Sequence, residues 1–286
     1  MDAFLDRVDR SPILAQCIPL TLTLVVMAGL IGLLHASLFF ANILPAAQPI
    51  RLDLRWYDVV VGATIYLKTS IDFAIFMGRM MAANPGWRSR VAIEIGTAVG
   101  NAVGTIAIII LWVLLKDISI LLALMVFMAS LVLFELAHAS LEHFEMWQSG
   151  SLPQRIGFFG MHGILDPVKK LIDPILLRIM PDLSAKMKGK AGLTWMGLIG
   201  FAVTVPFILG LDDFAGYVPL FSVVNVYGFA IGVIAAHTLL NIALFLSPTR
   251  TINAVKNEVV SFLGALAFIG LGVYGIIETM RILILK

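Results

Sequence analysis

Four charged side chains lie inside long apolar stretches of the sequence. They are Lys68, Asp72, Asp212 and Asp213. A charged group at the centre of a membrane helix costs roughly 2.5 to 3.5 kcal/mol on insertion scales, so such groups are rare and mark functional sites. Lys68 and Asp72 are four residues apart and can form an ion pair on one helical face. A structural ion pair is therefore the alternative for these two residues, whereas Asp212 and Asp213 have no such local partner.

Neutral polar side chains in the middle of apolar stretches form a second candidate group. Asparagine in a membrane helix most often joins helices by hydrogen bonds, and it also offers a carbonyl oxygen and two N–H groups to a ligand. A neutral histidine can bind a metal ion or relay a proton, although a single histidine on an apolar face is more often only hydrogen-bonded. Beside the aspartates, the candidate ligands are Thr97, Asn101, His237 and Asn241.

Acidic and histidine side chains also gather toward the end of one apolar stretch. Glu135 and His138 have the i, i+3 spacing with which metal-binding bundles direct a carboxylate and an imidazole to one point. Glu142 follows His138 by one helical turn. These three residues form a candidate metal vestibule or, alternatively, the hydrated end of a helix. Glu94, near the end of another stretch, is a candidate gate carboxylate or an interfacial residue.

Membrane helices must position these residues, because the composition excludes a water-soluble protein. Of 286 residues, 60% are hydrophobic and 13% are charged, with a mean hydropathy of +0.98. A soluble domain has about 25% charged residues. Apolar runs long enough to cross a hydrocarbon core of about 30 Å recur along the chain. They predict an all-α integral membrane protein with seven transmembrane helices, at residues 14–44, 58–82, 91–115, 119–143, 193–222, 223–246 and 258–285.

The predicted helices divide the chain into four segments. Residues 1–57 contain the first helix, 58–145 the next three, and 193–286 the last three. Residues 146–192 contain four prolines and short amphipathic pieces, which predict a cytoplasmic interfacial loop. In this topology fourteen lysines and arginines lie on the side of the N-terminus and five on the opposite side. The positive-inside rule then predicts a cytoplasmic N-terminus and an external C-terminus in a plasma membrane, here a bacterial inner membrane.

Several classes of function lack support in the sequence. One cysteine, Cys17, excludes an internal disulfide, a redox pair and a thiolate zinc site. A net charge of +2 without a basic run speaks against a nucleic-acid partner. The motifs of serine hydrolases, P-loop ATPases, zinc proteases and haem attachment are absent from the sequence. We therefore expect neither enzymatic activity nor a cofactor.

An internal repeat is the most informative long-range pattern. With an offset of 140 residues and no gap, Asp72 falls on Asp212, Thr97 on His237, and Asn101 on Asn241. Because each repeat has three helices, the two copies enter the membrane from opposite sides, as in many secondary transporters. The first helix then lies outside the repeat. The alternative is chance, since two apolar halves align easily.

The acidic segments resemble a known transporter family. Thr69-Ser70-Ile71-Asp72 and the run from Gly210 to Phe221 (GLDDFAGYVPLF) are similar to the two acidic motifs of the LysE superfamily, closest to its cadmium-resistance, TerC and manganese-efflux branches. The resemblance covers about residues 58–145 and 193–285. It implies inverted three-helix repeats and efflux of a divalent cation or, less often, of an amino acid. Phe73 departs from the family, which usually has a polar residue there.

These observations lead to one main hypothesis and two alternatives. The main hypothesis is a secondary transporter that exports a divalent cation of the manganese or cadmium class in exchange for protons. Asp72, Asp212 and Asp213 would bind the ion, and the neutral polar group would complete its shell. The alternatives are a small-solute exporter, in which Lys68 meets the carboxylate of an amino acid, and a membrane subunit that transports nothing. The expected partners are the lipid bilayer, the cation and protons, with a homodimer as a further expectation.

Overall fold

We describe the protein from a computed structural model, which describes residues 11–43, 49–84, 86–142, 163, 167, 170, 194–209, 217–255 and 257–285. The regular elements within these residues are all helices. In chain order they are α1 (Pro12–Ala41), α2 (Trp56–Thr69), α3 (Ile71–Ala83), α4 (Trp87–Leu115), α5 (Ser119–Glu142), α6 (Trp195–Leu209), a 3-10 helix (Val218–Ser222), α7 (Val226–Leu246), α8 (Pro248–Val255) and α9 (Glu258–Leu285).

Five of these helices are long and apolar enough to cross a membrane. Their outward faces are apolar as well, with Val25 63% and Ile284 79% exposed. A helix that is apolar on all sides suits lipid rather than water. The all-α class is confirmed, and the fold fits a multi-pass membrane protein. The five candidate spans are Ile13–Ala41, Trp87–Leu115, Ser119–His138, Val226–Leu246 and Phe262–Ile284.

The predicted helix at 58–82 is bent rather than continuous. Its two parts, α2 and α3, meet at an angle of 68°. The hydroxyl of Thr69 donates to the carbonyl oxygen of Tyr66 at 3.1 Å, a side-chain bond that competes with the helical backbone and bends helices. Ser70 follows with φ −84° and ψ 25°, outside helical geometry. Lys68 and Asp72 therefore lie on opposite sides of a bend and do not share one face of a straight helix.

The described residues contain five spans, or six when the bent pair is counted as one. The predicted helix at 193–222 is helical from Trp195 to Leu209 and again in the short 3-10 helix. Residues 210–216 and almost all of the predicted loop at 146–192 lie outside the described residues. The seventh crossing therefore stays a prediction.

Glycines bring α4 and α6 into close parallel contact. A methyl group on Gly96 would fall within 2.8 Å of the carbonyl oxygen of Ile199, and one on Gly100 would fall on that of Val203. Residue numbers rise together along the two helices, so their directions are the same. Only glycine, which has no Cβ, permits this approach of two backbones.

The α2–α7 pair is built in the same way. Gly228 of α7 approaches the carbonyl oxygen of Arg55, and Gly232 approaches that of Val59 one turn later, so these helices are also parallel. In contrast, Gly272 of α9 meets Phe134 of α5 while Gly275 meets Ser130. The α5–α9 pair is therefore antiparallel. These three pairs form the most extensive helix contacts, and α1 packs on α4 and α7.

Polar groups join the starts of α2 and α7. The backbone N–H of Asn225 donates to Oδ1 of Asp58 at 3.1 Å, and its side chain caps α7 by accepting the N–H of Tyr227 at 2.9 Å. Arg55 places Nε 2.9 Å from the second oxygen of Asp58. A side-chain cap at an N-terminus contributes about 1 kcal/mol. This network sets the register of the two helices that carry Tyr66 and His237.

Candidate functional site

A buried chain of polar side chains crosses the centre of the molecule from α2 through α7 to α4. Oη of Tyr66 lies 2.6 Å from Nδ1 of His237. Asn241, one turn later on α7, places Nδ2 3.0 Å from Nε2 of His237 and 3.1 Å from Oγ1 of Thr97. Thr97 in turn donates to the carbonyl oxygen of Ile93 at 2.9 Å. The structure thus brings together three of the predicted site residues: Thr97, His237 and Asn241.

Hydrogen-bond complementarity assigns the tautomer of His237. The two N–H groups of the Asn241 amide are directed at Thr97 and at Nε2 of His237, so Nε2 acts as an acceptor. The ring hydrogen is then on Nδ1, which donates to Tyr66. Both ring nitrogens are engaged, so a metal ion that binds His237 would have to displace Tyr66 or Asn241.

The polar chain lies beside the bend. The ring of Phe73, in the first turn of α3, is 5.2 Å from the His237 ring, and the Tyr66 ring at the end of α2 is 5.5 Å from it. Asp72 precedes Phe73 in the same turn, although its side chain is outside the described set. Transporters commonly bind ions where helices are interrupted near the middle of the membrane. The described polar cluster therefore lies beside an interruption between two helices.

Some polar atoms near this chain have no hydrogen-bond partner among the described residues. They include Oδ1 of Asn241, Nδ2 of Asn101 and Oγ1 of Thr105, in side chains that are at most 3% exposed. Asn101, a candidate ligand from the sequence, is buried one turn after Thr97, the α4 residue that bonds Asn241. An unmet polar atom in an apolar interior costs about 1 to 3 kcal/mol, and native proteins usually satisfy such atoms with water or an ion.

Glu94 lies one turn before Thr97 and is also buried. Its Oε2 is 2.5 Å from the hydroxyl of Thr23 on α1, while its Oε1 has no partner among the described residues. Arg90, a further turn earlier, donates from Nη1 to the carbonyl oxygen of Phe245 at 3.2 Å. The first helix, α1, is predicted to lie outside the repeat. Its contact through Thr23 shows that it nevertheless reaches the polar interior directly.

The predicted metal vestibule lies in another part of the fold. His138 is buried and Glu135 is partly buried on α5, whose contact with α9 has an apolar cluster of its own around Leu133 and Phe268. Glu142 ends α5, and its side chain is outside the described set, as are residues Asp212 and Asp213. Within the described part of the chain, no three histidine, cysteine, aspartate or glutamate side chains form a metal-binding group.

The comparisons with known proteins add no relative. No family model, curated protein or solved structure matches the chain. The resemblance to the LysE superfamily therefore stays a prediction that depends on the two acidic motifs.

Sequence reasoning missed four residues of this region: Thr23, Tyr66, Arg90 and Thr105. The residues on α4 do carry a signal, because Arg90, Glu94, Thr97, Asn101 and Thr105 recur at intervals of three or four. Tyr66 and Thr23 carry no such signal, since tyrosine and threonine are common in membrane helices and their partners are distant in sequence. Only interhelical contacts identify them.

Proposed function

We propose that the chain is a secondary transporter that moves a divalent metal cation across a membrane, with the ion held beside the bend between α2 and α3. The observation that carries the proposal is the side-chain carbonyl oxygen of Asn241. It is buried in the second half of α7 and accepts no hydrogen bond from the described residues. Amide and carboxylate oxygens are the ligands that hard divalent cations prefer, so a bound cation would satisfy this atom.

The charge of the ion requires carboxylates in addition to Asn241. Tyr66, His237 and Thr97 are neutral in this arrangement and hold Asn241 in place, so they do not balance two positive charges. Asp72 is the second residue of α3 and directly precedes Phe73, and the two aspartates after α6 are the remaining candidates. Asn101 presents an unmet N–H group, which suits water or an anionic group better than direct contact with a cation.

The inverted repeat belongs to the same proposal, and the glycine contacts support it. Gly96 of α4 approaches the carbonyl oxygen of Ile199, and Gly232 of α7 approaches that of Val59. Val59 and Ile199 are 140 residues apart, which is the offset predicted from the sequence. Each half therefore contributes a first helix that packs against the second helix of the other half, as an approximate two-fold axis requires.

The second helices of the two halves align at a different offset. The two glycines are 136 residues apart, four fewer than the ungapped alignment assumes. In this register His237 corresponds to Asn101, and Asn241 corresponds to Thr105. We therefore propose that the connection between the first and second helices is one helical turn shorter in the second half of the repeat. The pairs His237 with Asn101 and Asn241 with Thr105 then replace the pairs of the ungapped alignment.

The helix directions support the predicted topology. A protein with seven alternating spans has its second and sixth spans parallel, its third and fifth parallel, and its fourth and seventh antiparallel. The α2–α7, α4–α6 and α5–α9 pairs have these relative directions. We also retain the cytoplasmic N-terminus, which follows from the positive-inside rule, and the bacterial inner membrane as parts of the proposal. Exchange of one divalent ion for two protons would be electroneutral, so the membrane potential would neither drive nor oppose it.

Transport by purified protein in liposomes tests the proposal. We expect uptake of at least one ion among manganese, cadmium, zinc, calcium and magnesium, and loss of that uptake in Asp212→Asn. Glu278→Gln is the matched control, because Glu278 is a carboxylate on α9 that pairs with Arg281 at 3.6 Å. Unchanged uptake by Asp212→Asn would show that the Asp212 carboxylate does not bind the ion. Transport of an amino acid but of no metal would support the small-solute exporter. A protein that neither binds nor transports any of these ions would support the membrane subunit that transports nothing.

A further inference from the structure

Buried polar atoms without partners concentrate on one face of α4. Among the described residues, buried side-chain atoms of Arg90, Glu94, Asn101 and Thr105 have no hydrogen-bond partner. At 3.6 residues per turn, these positions and Thr97 fall within an arc of about 80°. A fifth such atom, Oδ1 of Asn241, belongs to the side chain bonded to Thr97. We call Arg90, Glu94, Thr97, Asn101 and Thr105 the α4 polar stripe.

Thr105 differs from every other buried threonine in the described residues. In each of the other five, the hydroxyl lies within hydrogen-bond distance of a carbonyl oxygen of its own helix, which is the usual way to satisfy a hydroxyl in an apolar surrounding. Thr105 is fully buried and makes no such bond. A hydroxyl that does not use this local acceptor needs a different partner. Thr105 and Asn101 lie on the same face of α4, so the partner of the Thr105 hydroxyl lies on the side of the helix that also carries the unmet N–H of Asn101.

An open cavity begins where the stripe begins. It has a volume of about 350 Å³ and is lined by residues of α1, α4 and α7, including Gln16, Arg90 and Phe245. Between this cavity and the rest of the stripe stands Glu94, whose carboxyl contacts Thr23 of α1. From Arg90 to Thr105 the stripe is about 22 Å long at 1.5 Å per residue. That length is about three quarters of a hydrocarbon core roughly 30 Å thick.

We infer that the α4 polar stripe lines a water-filled path for the transported ion, which enters from the cavity at Arg90 and passes between α4, α1 and α7. Water satisfies N–H and hydroxyl groups alike, which a bare cation does not, so water accounts for the unmet atoms of Asn101 and Thr105 together. Thr23 and Glu94 form the narrow point near the entrance. The identity of the ion rests on the proposed function, whereas the presence of water along the stripe does not.

Cysteine accessibility tests the path, because the chain has one native cysteine, Cys17, which Cys17→Ser removes. In that background we compare Asn101→Cys and Thr105→Cys with Val103→Cys, which is on the opposite face of α4 at the same depth and 40% exposed to the lipid side. A thiol reacts as its thiolate, which forms in water and not in lipid. With a charged methanethiosulfonate reagent, we expect the two stripe cysteines to react at least tenfold faster. Equal rates at all three positions would overturn the path.

Thr105→Val provides a second test that does not depend on a new thiol. If the hydroxyl is dry and unmet, its removal raises the thermal unfolding midpoint; if it holds water, its removal lowers the midpoint. We expect a lower midpoint, and a midpoint that does not fall would overturn the inference. Metal uptake is measured separately. If the stripe cysteines react but the protein takes up no metal, the proposed substrate is wrong and the water-filled path stands. If the protein takes up metal but the stripe cysteines do not react, the path is wrong and the proposed substrate stands.

Discussion

The hydroxyl of Tyr66 lies 2.6 Å from Nδ1 of His237, and this contact joins the last turn of α2 to the middle of α7. The two residues are 171 positions apart in the chain. Because Nε2 of His237 is taken by Asn241, the Tyr66 bond determines where the ring hydrogen is directed. The Tyr66 hydroxyl therefore accepts the ring N–H of His237 and links α2 to α7 at this point.

Tyr66→Phe is expected to destabilise the protein by about 1 to 3 kcal/mol, because it leaves Nδ1–H of His237 buried without its acceptor. Tyr227 is the matched control, since its hydroxyl lies 3.3 Å from Nδ1 of the exposed His35. Tyr227→Phe is expected to change stability by no more than about 0.5 kcal/mol. Unfolding of both variants in mixed micelles measures the difference, and equal effects would argue against a buried role for Tyr66.

Asn241→Ala is expected to reduce cation uptake at least tenfold, since it removes the oxygen assigned to the ion and the donor to His237 and Thr97. Thr238→Ala is the control on the same helix, because Thr238 is equally buried but bonds only to the backbone of Ile234 at 2.9 Å. Uptake per inserted protein should be near wild type in this control. Full uptake by Asn241→Ala would exclude the residue from the site.

Gly100→Ala is expected to weaken the α4–α6 contact, because the new methyl group falls on the carbonyl oxygen of Val203, and backbone cannot move aside as a side chain can. Gly29→Ala on α1 is the control, as nothing lies within 4 Å of its added methyl group. In a helix, alanine is favoured over glycine by about 1 kcal/mol. The first variant should lower the thermal unfolding midpoint and the second should leave it equal or higher.

Asp58→Asn is expected to loosen the start of the α2–α7 pair. The variant loses the charge paired with Arg55 and weakens the acceptor for the N–H of Asn225, for a cost of about 1 to 3 kcal/mol. Asp53→Asn is the comparison, since Asp53 is exposed and 4.0 Å from Arg55. Proteolysis of the segment before α2 gives a local measurement. Similar protection in both variants would show that the buried carboxylate contributes nothing specific.

Part of the site was predictable from residue types alone. Polar groups within a membrane span are costly, which predicts Thr97, His237, Asn241 and Glu94 as site candidates, and the structure buries all four. Their partners were not predictable, as the bond of Asn241 to Thr97, 144 residues away in the chain, shows. Which side chains meet depends on the register between helices, and contacts of glycines such as Gly96 and Gly232 with distant backbone set that register.

The sequence by itself determined the helical class of this protein and predicts a lipid surrounding, because apolar length and composition are local properties of each segment. Long apolar runs must satisfy their backbone internally, and the helix is the way a single segment does so. The tertiary structure decided the bend at Ser70, the partner of each buried polar group and the alignment of the α4 polar stripe with an open cavity. These features depend on the register between helices that are distant in sequence, and close contacts such as Gly100 against Val203 set that register.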